Sequence, residues 1–324
     1  MDKNKKIFGI DISKETFDVV DSQGNYYQFS NNFKSFLKFL KLLDENSHCV
    51  MEATGYYHYS LACFLVEKGI AVSVENPLSV KRFIQMHLSR IKTDKSDAAM
   101  ICLYGQQRLL SLWEGYSKNQ LESLQLIGLL ETYTKQSTAL KNKLEDQQTL
   151  GNPSNLVLKS LKKNLMHLQK EMVLIEQELL VLVKQEHQQM LTQLESIPGV
   201  GRKTAMLLVV LSDGFRRFEN SSQLCSFTGL TPMIRQSGSS VKGKNRISKM
   251  GNGRLRNLLF MCSFTACKCN KGCRELYERL VNQGKSKKLV LIAVCNKLLK
   301  QAFAIAKSGV LYNENHRSKL QITS

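Results

Sequence analysis

Two short apolar runs in the first 52 residues each stop at an acid: Lys5-Lys6-Ile7-Phe8-Gly9-Ile10-Asp11 and His48-Cys49-Val50-Met51-Glu52. Unbroken apolar runs of this length read as buried strands. Between them, Glu15 to Asp21 and Tyr26 to Phe29 read as two further strands, joined at Gly24-Asn25, a hairpin turn signal. Phe33, Phe36, Leu37, Leu40 and Leu43 then follow a helical period. After Glu52, Thr54-Gly55 turns the chain into a helix from about Tyr57 to Lys68, and Ala71 to Val74 is one more strand, closed by Asn76-Pro77. Three strands joined as hairpins, then alternating helix and strand, predict a mixed sheet with helices on its faces.

That order matches an α/β ribonuclease H-like (RuvC-like) fold. In it, the acid on the first strand lies beside the acid on a later neighbouring strand, and a following helix brings further carboxylates to the same sheet edge. Here that helix begins within Arg90-Ile91-Lys92-Thr93-Asp94-Lys95-Ser96-Asp97-Ala98. Asp94 and Asp97 are three apart and share a helix face. Thr93 as a cap with acids in the first turn is the ordinary helix-start reading of the same residues. Two carboxylates on one face also repel unless a cation lies between them. Asp11, Glu52, Asp94 and Asp97 together fit a two-metal phosphodiester site, in which hard oxygen ligands hold the ions ~3.5–4 Å apart. Carboxylates without a His or Cys partner favour Mg²⁺ or Mn²⁺ over zinc.

The 324 residues exceed the usual single-domain size. The expected division is a catalytic domain over 1–113, closed by Trp113, a helical connector over 114–190 and a C-terminal domain over 191–324. No apolar run is expected to span a bilayer, and the N-terminus leads into a strand rather than a signal peptide. Nine cysteines without a disulfide framework fit a reducing cytoplasm. The net charge of +19 is concentrated: residues 196–324 carry 23 Lys+Arg against 5 Asp+Glu. So local an excess points to phosphate partners, although a merely soluble basic surface has the same composition.

Lys118 to Leu150 is expected to be helical, broken by Gly151-Asn152-Pro153. Leu158, Leu161, Leu165, Leu168, Met172, Ile175, Leu179 and Leu182 then alternate spacings of three and four, a coiled-coil seam. Such a stripe must be covered, either by the preceding helix or by another chain, and self-association is the expectation. Ile197-Pro198-Gly199-Val200-Gly201 reads as the turn of a helix-hairpin-helix in a mainly α-helical domain, with Gly199 and Gly201 letting backbone approach a phosphate and Arg202 and Lys203 adding charge. A tight packing turn is the alternative. Arg235-Gln236-Ser237-Gly238, Lys242, Lys244, Arg246, Lys249, Arg254 and Arg256 make a basic stretch that could be a phosphate-binding loop or could expose a nucleophilic serine. Cys262, Cys267, Cys269 and Cys273 lack a paired CxxC spacing and read as structural thiols rather than zinc ligands.

Gly9-Ile10-Asp11, Met51-Glu52-Ala53-Thr54-Gly55, Lys92-Thr93-Asp94-Lys95-Ser96-Asp97-Ala98, Ser196-Ile197-Pro198-Gly199-Val200-Gly201 and Gly229-Leu230-Thr231-Pro232 followed by Ser237-Gly238 resemble, in this order, the transposases of the insertion-sequence 110 family, the DEDD recombinases related to the Piv invertase. The resemblance covers nearly the whole chain. It implies a RuvC-like domain, a coiled-coil connector and a C-terminal transposase domain, Mg²⁺ at Asp11, Glu52, Asp94 and Asp97, and a serine nucleophile whose motif position is Ser237. It also implies a structured bridge RNA pairing with target and donor DNA, action as a dimer or tetramer, and a bacterial cytoplasmic, nucleoid-associated location without membrane partners. Serine attack would conserve the phosphodiester energy in a protein–DNA ester, so a strand could be rejoined elsewhere. With acids in a nearly neutral region and the serine in a basic one, a composite catalytic site is expected. The competing readings are a RuvC-type nuclease that hydrolyses without a covalent step, a DNA invertase that needs no guide RNA, and a non-catalytic nucleic-acid scaffold.

Overall fold

The structure, a computed structural model, describes residues 5–53, 55–87, 93–233, 236–237, 241–242 and 246–315. The chain divides into two units, residues 1–116 and 117–324.

The first unit runs β1 (Lys6–Ile12), β2 (Thr16–Asp21), β3 (Tyr26–Ser30), α1 (Phe33–Leu40), β4 (Ser47–Glu52), α2 (Tyr59–Glu67), β5 (Ala71–Glu75), α3 (Pro77–Met86) and α4 (Asp94–Gln107). The sheet order is β3-β2-β1-β4-β5. The β1–β2 and β2–β3 pairs are antiparallel, and the β1–β4 and β4–β5 pairs are parallel. The central strand β1 is covered on both faces, which is why Ile7 to Ile10 is apolar without alternation. Phe8, Ile10 and Met51 pack with Phe36, Phe39, Leu61 and Leu65 of α1 and α2. Ile7 and Val50 pack on the other face with Ile101 and Tyr104 of α4. This mixed sheet with helices on both faces is compatible with a ribonuclease H-like domain. Asn76-Pro77 does more than close a strand: the Asn76 side chain accepts from Leu78 N at 2.8 Å and Pro77 opens α3, since proline fits a first helical turn that has no amide partner to lose.

Glycine sets how closely α4 approaches. A Cβ at Gly9 would stand 2.1 Å from the amide nitrogen of Cys102 and 2.3 Å from the carbonyl oxygen of Ala98. A Cβ at Gly105 would meet the Ile7 side chain at 2.7 Å. Strand and helix therefore touch backbone to backbone, and α4 cannot shift without losing that contact.

The second unit opens with two long helices, α5 (Lys118–Thr149) and α6 (Asn155–Glu195). They pack antiparallel: Ser117 donates to Glu186 at 2.9 Å and Asn119 to Gln185 at 3.0 Å near the start of one and the end of the other. Leu165, Ile175, Leu179 and Leu182 of the heptad stripe are buried, and Leu158, Leu161, Leu168 and Met172 are half-buried. The stripe thus turns inward, toward its own chain. The helices that follow are α7 (Arg202–Ser212), α8 (Ser221–Thr228), α9 (Gly253–Cys269), α10 (Lys271–Asn282) and α11 (Lys287–Ser308). Between α8 and α9 lie four two-residue strands, β6 (Pro232–Met233), β7 (Gln236–Ser237), β8 (Val241–Lys242) and β9 (Arg246–Ile247), pairing β6 with β9 and β7 with β8. One core joins Ile127 and Leu130 of α5, Ile175 and Leu179 of α6, and residues of α7 to α11, so packing runs across residue 190 without a break.

One expectation needs correction here. α11 is long and apolar enough, by length and composition, to cross a bilayer. Its fully buried Val290, Val294, Leu298 and Ala302 instead lie in the core of the second unit.

Candidate active site

Asp11 lies on the α4 face of β1, together with Ile7 and Gly9, because alternate strand residues share a face. In the antiparallel register Asp11 is opposite Asp18, and Asp18 is opposite Gln28. In the parallel register Gly9 is beside Val50 and Ile10 beside Met51; the next step brings Asp11 alongside Glu52, and Glu52 is paired with Glu75. A row of acids therefore crosses the sheet on one face. α4 starts over the same end. Thr93 Oγ1 accepts from Ser96 N at 3.1 Å while Ser96 Oγ accepts from Thr93 N at 2.9 Å, a reciprocal cap that fixes the first turn carrying Asp94 and Asp97. The capping reading and the site reading are thus compatible.

The electrostatics bring the four predicted acids together. The Asp11 carboxyl is pushed up to about 6, first by burial and then by the charges of Asp97, Asp94, Glu52 and Asp18. A carboxylate surrounded by carboxylates holds its proton because like charges disfavour ionisation. Among the described residues, no three Asp, Glu, His or Cys side chains stand close enough to hold an ion as they lie. The donor set still suits a hard divalent cation, since it is all carboxylate.

Several residues escaped the sequence reading. Asp18 is 3% exposed and accepts from Tyr26 Oη at 2.5 Å and Gln28 Nε2 at 3.1 Å. Lys95, between the two helix acids, sits 5.2 Å from the centre of the Tyr26 ring. Glu75 is raised by burial, partly offset by the hydroxyl of Tyr104 on α4, which donates to it at 3.2 Å. A lone Asp inside the strand Thr16-Phe17-Asp18-Val19-Val20 was the available signal, but the opposite register partner is invisible before pairing.

The predicted basic residues fall into different surroundings. Ser237 lies in β7 opposite Val241, and Lys242 lies in β8 opposite Gln236. Arg235, Gly238 and Lys244 lie outside the described residues. Arg246 in β9 and Lys249 are exposed. Arg254 donates to the carbonyl of Ile127 at 2.9 Å with Glu131 3.8 Å away, and Arg256 donates to the carbonyls of Thr228 at 2.9 Å and Lys249 at 3.3 Å. Both guanidiniums donate to carbonyls within the fold. Arg202 pairs with Glu195 at 2.7 Å and Lys203 with Glu176. Gly199, at φ +100°, faces α9: a Cβ there would be 2.7–2.9 Å from Ala266. Its close approach is to a helix of its own chain rather than to a ligand, while Gly201 opens α7 with nothing within 4 Å of its Cβ position. Cys273 is buried and its thiol is pushed up to about 12 by that burial.

Residues 8–151, which hold all four acids, match the model of the DEDD transposases of the IS110 group, and residues 191–278 match that of the IS116/IS110/IS902 transposases. The chain is 30% identical over 320 residues to the pilin gene-inverting protein of Moraxella lacunata, covering 94% of this chain and 97% of the relative. It is 25% identical over 322 residues to the transposase of insertion sequence element IS1111A from Coxiella burnetii, covering 90% of this chain and 83% of that one. The chain belongs to the IS110 family of transposases. It is a DNA recombinase, and the DEDD transposase match carries with it a general dependence on divalent metal.

Proposed function

We propose that this transposase cuts and rejoins DNA strands through a covalent serine intermediate, at a site whose metal ligands are Asp11, Glu52, Asp94 and Asp97 and whose nucleophile is Ser237. The observation that supports the metal half is the gathering of acids at one sheet edge: Asp11 beside Glu52 and under the first turn of α4, its carboxyl raised to about 6 first by burial and then by the charges of those acids. A divalent ion, Mg²⁺ or Mn²⁺, supplies Lewis-acid polarisation of the scissile phosphate when bound. Asp11 and Glu52 come from neighbouring strands whose register is fixed, and Asp94 and Asp97 from a capped helix pressed on Gly9, so the four carboxylates are held before substrate arrives. The Ser237 hydroxyl attacks phosphorus, losing its proton to solvent. A Ser–O–P bond forms as the bond to one deoxyribose oxygen breaks, and that oxygen leaves as a hydroxyl. Attack by another strand-end hydroxyl reverses the step and frees the serine.

The remaining parts of the reading concern partners. A structured bridge RNA pairs with target and donor DNA, and the basic residues Arg235, Lys242, Lys244, Arg246 and Lys249 contact phosphates. The turn at Ile197–Gly201 acts as a helix-hairpin-helix backbone contact. The protein works as a dimer or tetramer in the bacterial cytoplasm at the nucleoid. Self-association would use not the covered stripe of α6 but its outer apolar residues Met166, Val173, Leu174 and Val181, which are about half-exposed and include heptad-spaced pairs.

The test is incubation of wild-type and Ser237→Ala protein with labelled recombination-site DNA, guide RNA and Mg²⁺. A denaturation-resistant protein–DNA adduct is expected with wild type and lost with Ser237→Ala. Wild type that cuts DNA without an adduct would establish the RuvC-type hydrolytic reading instead. The similarity to the pilin gene-inverting proteins keeps a second reading in view, a DNA invertase without guide RNA. Sequencing RNA that co-purifies with the protein separates the two.

A further inference from the structure

A cleft of 550 Å³ opens on the first unit between α1, α2 and the segment that follows β4, with Asn31, Phe33, Tyr56, Tyr57, Phe64 and Glu67 among its walls. Three of its aromatic rings are left in solvent: Phe33 is 63% exposed, Tyr56 61% and Tyr57 45%. Rings gathered in one exposed place mark an interaction site more often than scattered apolar residues do. The cleft is also built. Phe33 stands edge-on to Phe64 with ring centres 5.5 Å apart. The Asn31 amide donates to the carbonyls of Ser13 at 2.9 Å and Tyr57 at 3.3 Å, tying the ends of β1 and β3 to the aromatic segment.

Its position is what gives it meaning. β1 and β4 are parallel, so both end at the same edge of the sheet. β3, antiparallel to the antiparallel β2, ends there too. Asp11 and Glu52 occupy that edge on the α4 side, and the cleft occupies it on the α1–α2 side. Tyr56 is four residues past Glu52, a chain reach of at most ~14 Å. Acids and cleft thus share one edge of the sheet on its two faces, so a DNA strand that crosses this edge would meet both.

We infer that the cleft seats an unstacked nucleobase of the strand held at the acids, adjacent to the phosphate being cut. The wall chemistry selects a base over other parts of DNA. Among the described residues that line the cleft none is Lys or Arg and one is Glu67, whose charge repels phosphate. Aromatic faces stack on bases irrespective of sequence. The Glu67 carboxylate accepts a hydrogen bond from an exocyclic amine, as acids do from cytosine N4, and Asn31 and Ser60 add polar edges. Taking a base out of its stack would bend the strand at the cut and bring its phosphate down onto the acids. The inference rests on the reading of those acids as the cleavage site, and the experiment keeps the two apart.

Full-length protein is irradiated with single-stranded oligonucleotides, each carrying one 5-iodocytosine, and cross-linked peptides are mapped by mass spectrometry. Cross-links are expected at Tyr56, Tyr57 or Phe33. Phe33→Ala with Tyr56→Ala should lower that yield about tenfold, with thermal unfolding unchanged because both rings are exposed. Tyr56→Phe should restore it. Glu67→Gln should keep the cross-link but reduce the preference for cytosine over thymine in competition. Asp94→Ala should cross-link as wild type does, since stacking needs no chemistry. Cross-links confined to other peptides at every probe position would overturn the cleft assignment, as would a cleft that seats a second copy of the chain, seen as lighter particles for the double variant with cross-linking absent in both proteins. Asp94→Ala and Asp97→Ala proteins that both still recombine DNA would sink the reading of the acids and leave the cleft standing.

Discussion

The two units place their functional residues by opposite means. In the first, four acids sit on a five-stranded sheet and a helix that touches it through Gly9, where a single added carbon would meet backbone at 2.1 Å. In the second, Ser237 sits on one of four two-residue strands between helices. The first arrangement fixes charges that repel one another and therefore need a rigid frame. The second, among the described residues, sets Ser237 opposite Val241 and Lys242 opposite Gln236 in a pair of strands. What differs is the tolerance for error: metal ligands misplaced by a fraction of an ångström lose an ion, whereas a phosphate-contacting lysine can reach again.

The largest expected effects remove chemistry from either side of this comparison. Asp11→Ala, Glu52→Ala, Asp94→Ala and Asp97→Ala should each abolish recombination in a gel assay while leaving RNA binding and circular dichroism near wild type. Full activity in any two would mean that the sheet edge is not the metal site. Ser237→Ala should cost orders of magnitude in strand transfer, read in the same gel assay.

A second prediction attacks rigidity. Gly9→Ala drives a methyl group into the backbone of α4 and should destabilise the first unit by about 3 kcal/mol, read from denaturant midpoints. Gly201→Ala, with open space around it, should cost less than 1 kcal/mol. Equal costs would mean the helix–sheet contact is looser than it stands.

The third sharpens the contrast within the basic region. Arg254→Ala removes the side-chain donor that the Ile127 carbonyl holds in addition to its own helix bond and should cost about 1 kcal/mol of stability, with little change in the salt dependence of DNA binding. Arg246→Ala should leave stability unchanged and lower the slope of log affinity against log salt by about 1. A reversed pattern would return Arg254 to the nucleic-acid surface.

The smallest effect is electrostatic. Folded Asp11 keeps its proton up to about pH 6, whereas the unfolded chain releases it near 4. Between those values the folded state binds more protons, so metal-free stability should fall as pH rises from 4 to 6, by about 1 kcal/mol once solvent screening is allowed for. Asp11→Asn should flatten this dependence, and so should saturating Mg²⁺. An unaltered slope in Asp11→Asn would assign it to another group.

Much of this architecture was legible along the chain. The strands β1 to β5 and the break at Gly151-Asn152-Pro153 fall within a residue or two of their sequence limits, because apolar runs and turn residues act locally. The four acids were legible as a set because each sits at a strand end or a helix start. Arg254, Arg256 and Gly199 have intrachain contacts that the sequence did not show, for one reason. Composition reports that a cation or a flexible residue is present, and cannot say whether a carbonyl of the same chain, or a helix such as α9 at Ala266, has already taken it.

The sequence by itself therefore determined the elements, the order of the acids and the concentration of positive charge beyond residue 196, since these depend on periodicity and residue type. Only the tertiary structure decided the rest. It turned the heptad stripe of α6 inward against α5, made α11 a core helix, set Asp18 opposite Asp11, and opened an aromatic cleft at the acid end of the sheet. Each of these depends on which surfaces meet, and pairing across tens of residues is settled by burial and register, quantities that no local pattern carries.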